Sequence, residues 1–211
     1  MKAYTTLYDD IVPEVPGCDL PIILHAIKRA CNDFYERSLY VKQTLPAIDI
    51  VSGTATYALT LAAPANFGMT KVMAVVVNGK PLIAKTDDDL DRDVSNWRTD
   101  AGQTTVYMQT AIDSVTLVRV PSVSITGGLS VTAAVVPQYG GGGIDDAVYD
   151  KFAEVLAAGA KGRLMRMARK PWSNPQLAMQ YDDYFSSEVA AAATIAARGY
   201  GRARLRSNCS P

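Results

Sequence analysis

A chain of 211 residues with 21 lysines and arginines against 21 aspartates and glutamates, 48% hydrophobic residues and three cysteines has the composition of a protein that folds on its own core. Disorder and a disulfide scaffold are both excluded, since a fold of this length buries roughly 70% of the surface of its extended chain. A formal charge of zero also argues against whole-surface attraction to nucleic acid or anionic lipid, which runs on summed positive charge.

The first eighteen residues carry acids where a signal peptide would be apolar, so export by that route is not expected. The longest apolar stretch, residues 189–197, is too short and alanine-rich to span a bilayer. Cys18, Cys31 and Cys209 are odd in number and lack CxxC spacing. Neither a zinc knuckle nor a redox dithiol is encoded, and reduced thiols are expected.

In chain order, the first predicted helix has Asp19 as cap, Pro21 in its first turn and an end near Ser38. Ile23, Ala26, Ile27, Ala30 and Phe34 form its buried stripe. From Thr44 to about Gln138 the hydrophobic period falls to two. Ile48 and Ile50 are expected to form a hairpin with residues 56–59 across Ser52-Gly53. Residues 71–77 lead through Asn78-Gly79, the strongest short hairpin signal, into a return strand over 80–84. Residues 104–110, 114–120 and 129–136 supply three more strands, with turns at 111–113 and 126–128. Residues 86–102 read as a polar, acidic surface loop or helical turn.

Gly140 to Gly143 read as a flexible hinge, because the following Ile144-Asp145-Asp146 lacks the lysine of a phosphate loop and would repel phosphate. Asp145 or Asp146 then caps a helix to about Met167. Val148, Phe152, Val155, Leu156 and Leu164 lie on its buried side, and Gly159 and Gly162 are expected to interrupt it at about 1 kcal/mol each relative to alanine. Asn174 and Pro175 start the last helix, through Leu177, Tyr181, Tyr184 and Phe185 to about Arg198. The fold class is therefore α+β: a helical bundle of the N-terminal helix plus a C-terminal helical hairpin, with an inserted antiparallel β-sandwich or barrel and an extended basic C-terminal arm. The expected domains are 1–43, 44–139, 140–198 and 199–211.

Catalytic signals are weak. His25 is the lone histidine, and a helical period puts Cys31 on another face, so the two should not meet. Asp87, Asp89, Asp91 and Asp93 alternate like calcium-loop ligands, but Arg92 and Arg98 stand where that loop needs glycine and glutamate. Asp87, Asp88, Asp89, Asp91 and Asp93 are expected instead to form a solvated, partner-facing loop. No nucleophile-elbow, zinc-protease, phosphate-loop or dinucleotide pattern occurs, and no catalytic residue, metal or cofactor is expected. Between Lys161 and Pro211, nine basic side chains oppose three acidic ones, so the last 51 residues hold +6 and the first 160 hold −6. Arg198, Tyr200, Arg202, Arg204, Leu205 and Arg206 form a basic arm with two apolar anchors, better suited to an acidic protein groove than to autonomous DNA binding.

Several strings share one collinear pattern: Val15-Pro16-Gly17-Cys18, then Ala30-Cys31-Asn32-Asp33-Phe34-Tyr35-Glu36-Arg37-Ser38, Ser52-Gly53-Thr54-Ala55-Thr56-Tyr57, Lys170-Pro171-Trp172-Ser173-Asn174-Pro175, and the basic end from Ala197 to Arg206. Together they resemble the head-to-tail adaptor (connector) proteins of tailed bacteriophages. The resemblance implies a helical bundle with an inserted β-domain. It also implies a non-enzymatic virion protein made in the host cytoplasm, forming a ring of twelve copies between the portal protein and the tail, nozzle or a further connector. DNA would pass through its axial channel without specific binding, and the arm from Arg198 to Arg206 would engage the portal. The glycine tract departs from the more ordered entry expected for the second helix. The acidic cluster is the candidate for a channel- or tail-facing loop. Two rival readings remain: a β-sheet ligand or carbohydrate-binding module on a helical stalk, and a metallohydrolase built on Asp87, Asp89 and Asp91.

Overall fold

The N-terminal segment ahead of the first predicted helix is folded. A 3-10 turn (Tyr4–Leu7), the one-turn helix α1 (Tyr8–Ile11) and a second 3-10 turn (Val12–Glu14) follow in succession. Tyr4, Leu7, Ile11 and Val15 are buried, a spacing of three and four that turns one side of the segment to the core. The computed structural model describes residues 1–93 and 96–199, and the chain divides into two compact units, residues 42–135 and the segments on either side of them.

The outer unit is helical. Helix α2 (Leu20–Ser38) buries Ile23, Ala26, Ile27, Ala30, Cys31, Phe34, Tyr35 and Ser38. Asp19 precedes it in extended conformation but makes no side-chain cap bond; its carbonyl instead accepts from the Ile22 and Ile23 amides. Leu39, with φ 49°, ends the helix in the left-handed region. Helix α4 (Asp146–Met165) is capped by the Asp145 carboxylate, which accepts from the Ala147 amide at 3.0 Å. Helix α5 (Pro175–Arg198) is capped by Asn174, accepting from Leu177 at 3.2 Å. Helices α2, α4 and α5 each pack on the other two.

The two glycines of α4 do not interrupt it. The backbone runs through Gly159 and Gly162, and its only departure from helical dihedrals is at Phe152 (φ −127°, ψ 16°), whose ring meets Phe34 and Tyr40 at centroid distances of 4.9 and 5.0 Å. The glycines are instead contact points for α5. A Cβ on Gly159 would fall 2.6 Å from the Phe185 ring, and one on Gly162 would fall 2.6 Å from an Asp182 carboxylate oxygen. Helix propensity is given up there for close approach.

The glycine tract is likewise more than a hinge. Lys2 and Ile144 exchange backbone hydrogen bonds of 2.8 and 2.7 Å. A Cβ on Gly143 would fall 2.0 Å from the Lys2 carbonyl oxygen. Gly140 and Gly142, by contrast, face open space.

Among the described residues, the inner unit holds eleven strands and one short helix. The strands are β1 (Lys42–Thr44), β2 (Ile48–Ile50), β3 (Thr56–Ala58), β4 (Phe67–Val77), β5 (Lys80–Pro81), β6 (Ile83–Ala84), β7 (Ala101–Gly102), β8 (Val106–Met108), β9 (Ser114–Val118), β10 (Val120–Pro121) and β11 (Ile125–Pro137). One sheet has the order β1-β11-β4-β5, with β2 also on β11; a second has the order β3-β9-β8-β6; β10 and β7 form a short pair. Most pairings are antiparallel, with β6 on β8 and β10 on β7 parallel. Leu45, Ile50, Val72, Val75, Leu129 and Val131 from the first sheet and its loops share a single core with Tyr57, Leu59, Tyr107, Val115 and Leu117 from the second.

Three local expectations are corrected. The strands flanking Ser52-Gly53 do not pair with each other. β2 joins β11 and β3 joins β9, because the chain changes sheet in this loop, which the Tyr57 hydroxyl holds through bonds to Val51 and Thr54. The Asn78-Gly79 hairpin forms, with φ of 47° and 76°, but its return strand pairs with β4 only at Lys80 and Pro81. From Ile83 it crosses to β8. Residues 126–128 are not a turn between strands: they lie within β11, where the register against β2 shifts between Ile125 and Leu129. Gly127, with φ 60°, supplies the left-handed residue of that irregularity.

Candidate functional site

Of the two forms expected for the acidic cluster, helical turn or loop, it takes the first, as the short helix α3 (Asp87–Asp93). Thr86 caps it: its hydroxyl accepts from the Asp89 amide at 3.3 Å and donates to the Asp89 carboxylate at 2.8 Å, the reciprocal logic of a capping box. Leu90 is fully buried and packs with Trp97, Met108 and Val118, which fixes the helix on its unit and turns Asp87, Asp88, Asp91 and Asp93 to solvent.

Asp87, Asp89, Asp91 and Asp93 are partnered by nearby cations. Arg98 reaches the Asp91 oxygens at 2.6 and 3.3 Å and Asp87 at 3.5 Å, while its guanidinium stacks 4.2 Å from the Trp97 ring. The Trp97 indole donates to the same Asp91 at 2.8 Å. Lys85 holds Asp93 at 2.7 Å and Arg92 holds Asp89 at 2.8 Å. Hydrogen bonds from Arg98 and Trp97 lower the Asp91 pKa, those with Thr86 lower that of Asp89, and Lys85 lowers that of Asp93. Asp89, Asp91 and Asp93 therefore stay ionised through mild acid, and three bases offset part of the charge of the five carboxylates. Among the described residues, no group of three or more His, Cys, Asp or Glu is placed to hold a metal ion.

Arg198 is exposed at the last turn of α5, and Gly199 (φ 67°) ends the helix with its amide on the Ile195 carbonyl at 2.8 Å. The other arm residues, Tyr200, Arg202, Arg204, Leu205 and Arg206, lie outside the described residues, as does Cys209. The bases on α4 and at its C-cap, counted toward the basic end, are used internally. Lys161 meets Glu14 at 2.6 Å, Arg163 meets Asp33 at 2.6 Å, and Arg166 pairs with Asp182. The basic end is thus narrower than its sequence count suggests.

One feature of the helical unit has no counterpart in the sequence reading. An open groove of about 940 Å³ runs between the α1 region, α4 and α5, lined by Asp10, Pro13, Glu14, Ala153, Glu154, Ala157, Ala158, Lys161, Leu177, Gln180, Tyr181 and Tyr184. Ala153 and Ala157, one turn apart, let its floor lie close to the α4 backbone. Glu14, Lys161 and Tyr181 cross-link one end, the Tyr181 hydroxyl donating to the carboxylate that also receives Lys161. The signal was present as alanines at helical spacing on an otherwise apolar helix, but a groove depends on which neighbouring elements leave it uncovered.

His25 is exposed, 3.1 Å from the Tyr139 hydroxyl, and Cys31 is fully buried. Burial pushes the Cys31 thiol well above its ordinary range, so it is no nucleophile. Of the aromatics available to a strand-borne ligand site, Tyr57, Phe67, Trp97 and Tyr107 are buried and only Tyr139 is exposed. No described helix is long and apolar enough to cross a membrane.

A comparison with curated protein sequences returns no match. The SU10 adaptor protein family model matches residues 2–207, which takes in both units and reaches into the basic arm. Its span agrees with the collinear strings that first suggested an adaptor, and the chain belongs to the SU10 adaptor protein family, a family of phage head-to-tail adaptors.

Proposed function

We propose that the protein is a structural, non-enzymatic virion subunit that closes into a ring of twelve copies between the portal and the tail, nozzle or next connector, leaving an axial channel for DNA. The observation that carries this reading is the family match over residues 2–207. In this reading residues 1–43 and 140–198 form the helical bundle, residues 44–139 are an inserted β-sandwich, and residues 199–211 are the arm. Cyclic closure uses one patch of each subunit against a different patch of the next, and a chain with separate acidic and basic regions can supply both. Arg198, Tyr200, Arg202, Arg204, Leu205 and Arg206 engage the portal, the arginines pairing with carboxylates and the two apolar side chains offsetting the entropy lost on ordering. The α3 carboxylates Asp87, Asp88, Asp89, Asp91 and Asp93 face the channel or the tail, where negative charge keeps passing DNA from adhering.

The test is the mass of the purified chain in solution, alone and mixed with the portal. Co-assembly with the portal, lost when residues 198–211 are removed, is the expected result. A truncated chain that still co-assembles would overturn the role of the arm, and a full chain that ignores the portal would overturn the adaptor reading.

A further inference from the structure

The groove between the α1 region, α4 and α5 has the wrong sign to be featureless surface. Its lining carries Asp10, Glu14 and Glu154 against Lys161 alone, and Lys161 is already committed to Glu14 at 2.6 Å. Tyr184 on the same wall has its pKa raised, first by desolvation and then by the charges of Glu154 and Glu188, so the negative field extends past Glu154 toward the end of α5. Apolar surface is present as well: Ala157 and Ala158 are buried in the floor, Leu177 is half-buried, and Tyr184 is 39% exposed. An acidic rim over an alanine floor suits an extended segment that alternates arginine with small or apolar residues. The sequence contains one such segment, Arg202-Ala203-Arg204-Leu205-Arg206.

We propose that this groove receives residues 202–206 of a second copy of the chain. Covalent reach argues for a second copy over the same one. Tyr184 and Tyr181 lie about 22 and 27 Å back along α5 from Gly199 at the helical rise. The seven residues from Gly199 to Arg206 extend at most about 25 Å. A chain folding back on itself could bring an arginine to Glu188, about 16 Å back, but would be taut on reaching Tyr184 and could not lie along the lining from Tyr184 to Leu177. A neighbouring copy has no such restriction. Arginines 202, 204 and 206 meet Asp10, Glu154 and Glu188, and Leu205 covers the alanines. The contact joins two different patches of identical chains, the kind that propagates or closes a ring. It adds to the adaptor reading and places the arm on a neighbouring copy until a portal competes for it.

The test uses the full chain with Cys209→Ser, Glu154→Cys and Leu205→Cys, oxidised at micromolar concentration and separated without reductant. The result expected is a ladder of covalent dimers and larger species. The ladder should fall at least tenfold with Arg202, Arg204 and Arg206 all changed to Glu, and return when Asp10→Lys and Glu188→Lys are added. The chain with Cys209→Ser alone reports any background through Cys18. A fast-migrating internal disulfide would overturn the second copy in favour of the chain's own groove. Absence of any disulfide, or a ladder indifferent to the charge reversals, would overturn the groove. Portal co-assembly of the same variants is read in parallel, so a chain that gives no ladder but binds the portal refutes this contact alone.

Discussion

The ring of Phe185 on α5 stands so close to Gly159 on α4 that a methyl group on the glycine would sit 2.6 Å from its Cδ2 and 2.7 Å from its Cε2. Alanine at an open helical position would gain about 1 kcal/mol over glycine, whereas overpacking a filled contact costs about 1–3 kcal/mol. Because an aromatic ring in a core cannot swing aside cheaply, Gly159→Ala is expected to lose, lowering the thermal midpoint by about 2–4 °C. Gly162→Ala meets its closest contact at the end of the Asp182 side chain, with the Ala178 carbonyl oxygen no nearer than 3.4 Å, and should cost less. Calorimetric melting of both variants checks the order, and a stabilised Gly159→Ala would refute the packing account.

The glycine tract gives a sharper contrast. Gly143→Ala drives a methyl into the Lys2 carbonyl and must break the paired bonds between Lys2 and Ile144, an expected loss of about 1–3 kcal/mol. Gly140→Ala and Gly142→Ala meet nothing within 4 Å and should lie within about 0.5 kcal/mol of the parent. Urea unfolding of the three variants separates a uniformly flexible linker, where all behave alike, from a tract pinned at one residue.

The local signals were legible and the distant ones were not. Asp145, Asn174 and Gly199 mark helix ends through chemistry confined to one turn, and Asn78-Gly79 marks its hairpin through its own dihedrals. Strand partnership carries no such mark. Ile48–Ile50 pairs with a strand some 75 residues later, and alternation alone does not distinguish that strand from the nearer one at residues 56–59. The acid cluster was visible as charge, but its pairing was not. Arg98 stands where a calcium loop needs its glutamate, and the same side chain is the main neutraliser of Asp91. The groove needed three elements far apart in sequence, one of them in the N-terminal segment that had been left unassigned.

Glu14 links pH to the stability of the helical unit. Partial burial pushes its carboxyl upward, but hydrogen bonds from Lys161 and Tyr181 and the charge of Lys161 outweigh that, leaving it below its ordinary 4.5. A depressed folded-state value means the contribution is complete above the unfolded value and disappears as pH falls through the folded one. The parent should therefore exceed Glu14→Gln in thermal midpoint at pH 7, with the gap narrowing as pH falls below the ordinary 4.5. A gap that does not narrow as pH is lowered would show that the carboxylate's charge is not the cause.

Helix α3 predicts a negative result with a definite reason. Asp87 and Asp91 are held by Arg98, Asp93 by Lys85 and Asp89 by Arg92, so a divalent cation would have to displace a fixed base before gaining an incomplete ligand set. Titration calorimetry with calcium, magnesium and manganese should give no binding heat at millimolar ion. Saturable heat would revive the metal reading and count against a surface made for a macromolecular neighbour.

Tyr57 decides whether the inner unit holds its two sheets in register. Its hydroxyl accepts from the Val51 amide at 3.2 Å and donates to the Thr54 carbonyl at 2.8 Å, bridging the loop through which the chain leaves β2 for β3. Phenylalanine keeps the ring in the core and deletes only those bonds, so Tyr57→Phe isolates the loop from the packing. One donor and one acceptor at a partly buried site would be left without partners, a cost of about 1–3 kcal/mol. The loss should appear first as faster hydrogen exchange at the Val51 amide and then as a lower urea midpoint with an unchanged slope. A variant with the parent's Val51 exchange rate would mean that the pairing of β2 with β11 and of β3 with β9 positions the loop without help from the hydroxyl.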